Sequence, residues 1–469
     1  MSYVFYDTET TGLNPAFDQI LQFAAIRTDS DLNEIDRFEI RSRLLPYVVP
    51  SPVALKVTGV SVAQLTDPNL PSYYEMTRAV RAKLLEWSPA IFIGHNSIAF
   101  DEKFLRQALY QSLHDPYLTN SNQNQRSDSL RIIQATHLYA DGIFSYPTGA
   151  NGQPSFKLDQ LAPANGFAHK NAHDAMADVE ATIYLCHLAM ERAPHIWSSF
   201  MRFAQKAAVR DHVFDELIFS YSDFIYGRPY SWIVTAFGTH PERPNEIFLF
   251  DLDHDPDELA ALTNEGLAEH LNFLPRPVKK MRCNASPVIF DADDAPHIAA
   301  AKSLSRDVLE ARAARIRDDA RLIERLTSAM IASETEYPKS PFVEEQIYDG
   351  FYGAADKGRM EEFHSAPWEG RPQILGAFED PRVKCLAQRI LFTERPDLLS
   401  AARVAEIKSG IARRVLDNPE NGPWLTISQA LEETIAALAK MGGDETKPLL
   451  EFVDYLEFRR AQLLDDMIS

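Results

Sequence analysis

Apolar and aromatic residues first cluster at Tyr3–Tyr6, a short run closed by the polar stretch Asp7-Thr8-Glu9-Thr10-Thr11-Gly12. That pattern predicts a buried strand running into a turn. Gln19–Thr28 and Glu34–Leu45 alternate apolar and polar positions, which predicts two further strands and an opening meander in a mixed sheet. The period then lengthens. Ser51–Leu65 and Tyr73–Trp87 read as helices, the second with Met76, Val80, Leu84 and Trp87 at near-helical spacing. Ala90–Ile93 reads as a short buried strand, and Glu102–Gln111, Ser129–Ala140, Lys157–Leu161 and His173–Arg192 read as helices. The polar loop Asn120–Gln125 and the Gly/Pro-rich loop Tyr146–Pro154 separate them. Strands interleaved with helices predict an α/β domain.

Farther along, Ser231–Phe237 and Glu246–Leu252 predict strands joined by the turn His240–Asn245. Arg306–Ser333 predicts one long helix with a solvated face of mixed charge, Pro338–Pro341 a linker, and the chain from Val343 a set of apolar-periodic helices. With 469 residues the chain exceeds one ordinary core and should form two or three domains. No apolar run approaches the roughly 18 residues of a membrane span, and the start lacks a basic region followed by an apolar one. A cytoplasmic protein is expected. Cys186, Cys283 and Cys385 show neither Cys-x-x-Cys spacing nor a disulfide framework, as in a reducing compartment.

Charge complicates the picture. With 47 Lys and Arg against 67 Asp and Glu, the net charge is −20, which opposes a polyanionic partner at long range. A nucleic acid would need local, acid-free basic stretches, and two exist. From Arg192 to Arg210 there is no acid, and Arg202, Lys206 and Arg210 recur at helical spacing among Trp197, Phe200 and Phe203, which read as core or stacking groups. Pro275–Arg282 carries Arg276, Lys279, Lys280 and Arg282 beside Asn284.

The candidate chemistry begins at the first strand. Asp7 and Glu9 flank Thr8, so strand alternation projects both carboxylates to one side. Paired acids beside a buried sheet repel unless a cation sits between them, and hard ions such as Mg²⁺ prefer carboxylate oxygen. Alone, the pair reads more simply as a strand-end turn with solvated acids. Asp101 stands at the mouth of a helix, where its ordinary role is an N-cap. His173 is placed at a helix start and Asp178 more than one turn inside, so both can face the sheet's end. Asp174 reads as a structural partner of the helix dipole, and His95 and Asn96 as turn residues.

Taken together, Asp7, Glu9, Asp101, His173 and Asp178 resemble, in order, the motifs of the DEDDh class of 3′→5′ exonucleases. Gln22–Asp29, Asn171–Asp178 and Pro277–Lys279 further resemble the bacterial exodeoxyribonuclease I family. The resemblance implies a ribonuclease-H-like α/β exonuclease domain over 1–193, an SH3-like β domain with flanking helices over 194–338, and an all-helical C-terminal domain over 339–469. It implies two Mg²⁺ ions, replaceable by Mn²⁺, held by Asp7, Glu9 and Asp178 with Asp101 on the outer side, and His173 as general base. Glu9, Arg106 and Lys157 are implied as substrate contacts, to which the acid-free basic stretches add Lys206, Lys279 and Asn284. Lys157 replaces an arginine-type contact of that family, and small polar residues at Asn120–Gln125 replace aromatic and basic ones. The implied activity is 3′→5′ degradation of single-stranded DNA to 5′-mononucleotides in repair and recombination. The implied protein is a monomer, with the acidic tail of a single-stranded DNA-binding protein as partner. A ribonuclease T-like RNA trimmer would share all five residues, and a catalytically silent binding protein is a third reading. The intact acids and histidine oppose the last, and the long non-catalytic region favours DNA.

Overall fold

The structure, a computed structural model, describes residues 2–149, 152–168, 173–335, 338–418, 421–440 and 446–468. The loop Tyr146–Pro154 and the motif Asn171–Asp178 therefore lie partly outside the described residues. The first strand, β1 (Ser2–Thr10), is the centre of a five-stranded sheet. β2 (Ile20–Thr28) and β3 (Glu34–Arg41) extend it antiparallel on one side; β4 (Ala90–Gly94) and β5 (Gln125–Asp128) extend it parallel on the other. The predicted mixed sheet is present. Tyr3 and Phe5 pack with Ala24, Ile26 and Ile93 beneath the helix Ala175–Arg192. Val4 and Tyr6 face the other way, toward Phe23, Phe92 and the helices Tyr73–Glu86 and Asp101–Gln111. A strand covered on both faces needs an unbroken apolar run, which Tyr3–Tyr6 supplies.

Several boundaries differ from the sequence reading for physical reasons. β5 lies at the end of a predicted polar loop because Gln-Arg-Ser-Asp contains no apolar residue; its burial rests on polar pairing instead. The predicted helix Ser51–Leu65 is two helices, Pro52–Thr58 and Val62–Thr66, parted at Gly59 with φ +66°. Arg306–Ser333 is likewise two, Arg306–Arg317 and Ala320–Ala332, because Asp319 caps the second through the Leu322 amide at 2.9 Å. Their Leu309, Ile316, Leu326 and Met330 are buried, so the charged pattern hid a core-facing stripe.

A second five-stranded sheet is wholly antiparallel, in the order β10-β6-β7-β8-β9. Its strands are β6 (Phe219–Ile225), β7 (Arg228–Thr239), β8 (Glu246–Asp251), β9 (Val278–Arg282) and β10 (Val288–Asp291). The sequence shows β7, β8 and their turn, and misses β6 and β10. The expected basic helix stripe does not form: Arg202 ends the helix Pro194–Arg202, while Lys206 and Arg210 belong to Lys206–Asp215. Trp197, Phe200 and Phe203 are buried and serve as core.

The C-terminal region is helical and is tied to the first sheet. Tyr110 and Gln107 bond the carbonyls of Val343 and Glu344 at 2.7 and 2.9 Å. The buried Glu344 carboxylate accepts from Arg389 at 2.8 Å and Arg414 at 2.6 Å. Arg459 donates to the carbonyl of Val48 at 2.8 Å. Among the described residues, no helix is long and apolar enough to cross a membrane.

Candidate active site

The apolar run of β1 delivers Asp7 and Glu9 to its far end, and the first turn of the helix Ala175–Arg192 brings Asp178 against them. One carboxylate oxygen of each of these three residues lies within 4.8 Å of the others. Burial, followed by the charges of Asp101, Asp178 and Glu9, holds the Asp7 carboxyl well above the usual carboxylate range. Burial and then Asp178 and Asp101 push Glu9 up to about 9, against the opposing charge of Arg41. Acids this crowded and this dry favour a cation, and an all-oxygen donor set suits a hard divalent ion.

Asp101 is not an N-cap. It is the first helical residue of Asp101–Gln111, and its Oδ1 accepts the Thr8 amide at 3.0 Å and the Thr8 hydroxyl at 2.6 Å. These bonds fix the helix mouth to the backbone between the two β1 acids. Burial raises the Asp101 carboxyl to about 7, with the Thr8 bonds pulling it back. The three-carboxylate group excludes Asp101, but its charge acts on both Asp7 and Glu9.

His173 lies two residues before its helix rather than in it, with φ +68°. Left-handed backbone is uncommon for a side-chain-bearing residue and here turns the chain sharply into the helix. Asp174 is the N-cap, accepting the Ala177 amide at 3.3 Å, in the structural role expected of it. Its Oδ2 also accepts from Gln22 Nε2 at 3.1 Å and Arg41 at 2.8 Å, while Gln22 Oε1 accepts the Ala175 amide at 3.3 Å. Two residues of β2 and β3 thus strap the His173–Asp178 segment to the sheet. Sequence reasoning missed both, and Gln22 was visible only as part of a family-like string.

The predicted substrate contacts separate into open and committed groups. Lys157 is exposed, preceding the helix Leu158–Ala164. Lys206 and Asn284 meet in one cleft of about 530 Å³ between the edge of the first sheet and the second, with Asn120, Arg126 and Asn245. Arg106 is committed: it donates to Glu102 at 2.7 Å and Asn120 at 3.1 Å, and lies over the Tyr117 ring. Glu102 is a buried hub that also takes Tyr6, Thr119 and Arg126. Lys279 is not the open cation that its basic stretch predicts. Its Nζ is 3.3 Å from buried Asp251 and 4.6 Å from the Trp232 ring. Lys280 is paired with Glu246 at 3.4 Å and with Glu334.

Comparison with known proteins agrees with this architecture. The Exonuclease family matches residues 4–186, and the Exonuclease I C-terminal domain matches residues 342–458. The ribonuclease-H-like sheet with its carboxylate group defines the first part of the molecule as an exonuclease domain. Exodeoxyribonuclease I of Escherichia coli K12 is 29% identical over 414 residues, spanning 84% of this chain and 85% of that protein. The zinc-bound form of the E. coli exonuclease I complex with single-stranded DNA has the same fold, with TM-score 0.83 and 24% identity over 98% of this chain and 99% of that one. Exonuclease I from Methylocaldum szegediense matches with TM-score 0.84 and 25% identity, again over 98% and 99%. Over most of its length the chain is similar to the exodeoxyribonucleases I, and its first and last parts match the Exonuclease and Exonuclease I C-terminal domain families.

Proposed function

We propose that this protein is a divalent-metal-dependent 3′→5′ exodeoxyribonuclease that hydrolyses single-stranded DNA to 5′-mononucleotides. The observation that chiefly supports the reading is the convergence of Asp7, Glu9 and Asp178 within 4.8 Å at the end of β1. These three residues would hold two Mg²⁺ ions, or Mn²⁺ in their place, with Asp101 steadying the outer side from its bonds to Thr8. Bound ions of this kind supply electrostatic stabilisation of charge developing on phosphate oxygens during hydrolysis. His173 takes the proton of the attacking water on a ring nitrogen, held in place by the Asp174 strap to Gln22 and Arg41. Glu9 and the exposed ammonium of Lys157 face the terminal nucleotide. Lysine binds phosphate as a point charge rather than bidentately, as arginine would.

In the division of labour we infer, 1–193 cuts while 194–338 holds the strand. The cleft with Lys206 and Asn284 is the part of that track open to a ligand. Single-stranded DNA as substrate is supported by the E. coli relative, whose solved complex contains it. The long non-catalytic region also has no use in a compact RNA trimmer. Cytoplasmic action as a monomer in repair and recombination, with the acidic tail of a single-stranded DNA-binding protein as partner, completes the proposal. The test uses matched 3′-labelled DNA and RNA single strands with Mg²⁺ or EDTA. Loss of DNA label in Mg²⁺ alone is expected, and equal or faster loss of RNA overturns the DNA assignment.

A further inference from the structure

β1, β4 and β5 run parallel, so their C-terminal ends open at one edge of the first sheet. β1 places Asp7 and Glu9 there, β4 ends on Gly94 and passes directly to His95, and β5 ends on Asp128. β4 approaches β1 closely at this edge: a Cβ on Gly94 would lie 2.7 Å from the Tyr6 carbonyl oxygen. The turn after His95 leads to Asp101, and Asp128 holds it by accepting the amides of Asn96 at 2.9 Å and Ile98 at 3.1 Å. The backbone of the turn is thus secured without the His95 ring.

Both nitrogens of that ring are engaged elsewhere. Nε2 lies 2.8 Å from the Phe156 carbonyl oxygen and Nδ1 3.0 Å from the Ser129 hydroxyl. A carbonyl only accepts, so Nε2 carries the proton and Nδ1 accepts from Ser129. Burial, outweighing the Phe156 bond and the Asp128 charge, holds the ring below the usual histidine range, as a neutral imidazole of this one tautomer requires. With neither nitrogen open to a water molecule, His95 does not compete with His173 for the role of base.

The Phe156 bond joins positions 61 residues apart. The Phe156 ring is buried, edge-on to Tyr146 at 5.5 Å and to Phe224 of β6 at 5.2 Å. Ring packing fixes where the residue sits; the His95 N–H fixes which way its carbonyl points, and with it the direction in which the chain leaves. The next residue is the exposed Lys157, extended at φ −67° and ψ 133°, whose carbonyl accepts the Leu161 amide at 2.8 Å to begin the helix Leu158–Ala164. One imidazole therefore ties the turn leading to Asp101 to the loop that delivers Lys157.

We infer that His95 is a positioning residue for strand cleavage: its bond to the Phe156 carbonyl aims the Lys157 ammonium at the phosphate held by the carboxylate site. This rests on the exonuclease reading, in which Lys157 meets the terminal nucleotide, and adds what holds the lysine in register with the acids. A phosphate met by acids on a strand and by a cation on a separate loop needs those two elements fixed to each other, since a misplacement of about 1 Å can cost on the order of 10²-fold in rate.

A double-mutant cycle on the full-length protein tests this, read as kcat/KM for release of a 3′ label in Mg²⁺, with Tm measured on every variant. Lys157→Ala and His95→Asn should each lower kcat/KM by about tenfold, and the double variant no further, because one residue acts through the other. The asparagine amide reaches only the Nδ1 position of the imidazole, on the Ser129 side, whereas the glutamine amide reaches the Nε2 position. His95→Gln should therefore retain most of the wild-type kcat/KM. Equal losses in His95→Asn and His95→Gln overturn the proposal, because loss of the ring rather than of the Phe156 bond would then be responsible. So do losses that multiply to about a hundredfold in the double variant, which would make the two residues independent. A kcat/KM that merely follows Tm across the variants also overturns it, assigning His95 to folding alone. If Lys157→Ala keeps wild-type activity, the exonuclease reading stands and this inference falls; if wild type releases no 3′ label, the exonuclease reading itself falls.

Discussion

Glu9 concentrates the conflict between burial and charge on which the site depends. Burial, and then the charges of Asp178 and Asp101, push its carboxyl up to about 9 in the folded chain, against an ordinary value of 4.5. A carboxyl raised in this way favours folding fully below its unfolded value, and that contribution is lost as pH rises toward the folded one. Without divalent metal, Tm should therefore fall between about pH 5 and pH 9; Glu9→Gln should flatten the decline, and Mg²⁺ should oppose it. Thermal melts across that range in EDTA and in Mg²⁺ check this, and a metal-free Tm that rises with pH contradicts it. Asp7→Asn and Asp178→Asn should nearly abolish turnover while leaving the fold intact, since each removes one of several mutually repelling acids. His173→Ala should cost about two to four orders of magnitude in rate, with partial recovery at high pH where hydroxide substitutes. Unchanged turnover at pH 7 rules out His173 as the base. The acids were legible because strand alternation and helix spacing are local rules. Gln22 and Thr8 were not, because their partners Asp174 and Asp101 lie 152 and 93 positions away.

At the scale of elements, the strap from β2 and β3 holds Asp174 and Ala175, next to His173, where the chain enters the helix Ala175–Arg192. Gln22→Ala should lower kcat by roughly tenfold with little change in strand affinity, as a misplaced base does; a loss confined to affinity would assign Gln22 to binding. The Glu344 clamp is the corresponding feature of the C-terminal helices. Burial raises its carboxyl, but Arg389 and Arg414 outweigh burial and bring it to about 2. Its contribution is thus present above pH 4.5 and lost as pH falls toward 2. Glu344→Gln leaves two part-buried guanidiniums without their carboxylate, at a cost of about 3–5 kcal/mol, which thermal or urea unfolding at pH 7 would register. Helices and strands with apolar periodicity were legible. β5 was not, having no apolar residue, and the breaks at Gly59 and Asp319 were hidden because periodicity continues across a cap.

For the whole molecule, a chain of net charge −20 must bind a polyanion through local clefts. Composition located the basic stretches, but only packing shows that Lys279 and Lys280 are neutralised by Asp251, Glu246 and Glu334 while Lys206 faces a cleft. Lys206→Ala should therefore reduce the log–log salt slope for single-strand binding by about 0.7, and Lys280→Ala should leave it unchanged. Affinity measured against salt for both variants decides between them; equal slopes would move the strand elsewhere. The most direct test of the account follows a single strand labelled at its 5′ end, and a second labelled at its 3′ end, through digestion in Mg²⁺. The 3′ label should leave at once as a mononucleotide while the 5′ label descends a ladder of shortening products, with Asp178→Asn inactive on both. Release of the 5′ label first, internal fragments, or full activity of Asp178→Asn would contradict the assignment of 3′→5′ hydrolysis to the carboxylates at the end of β1.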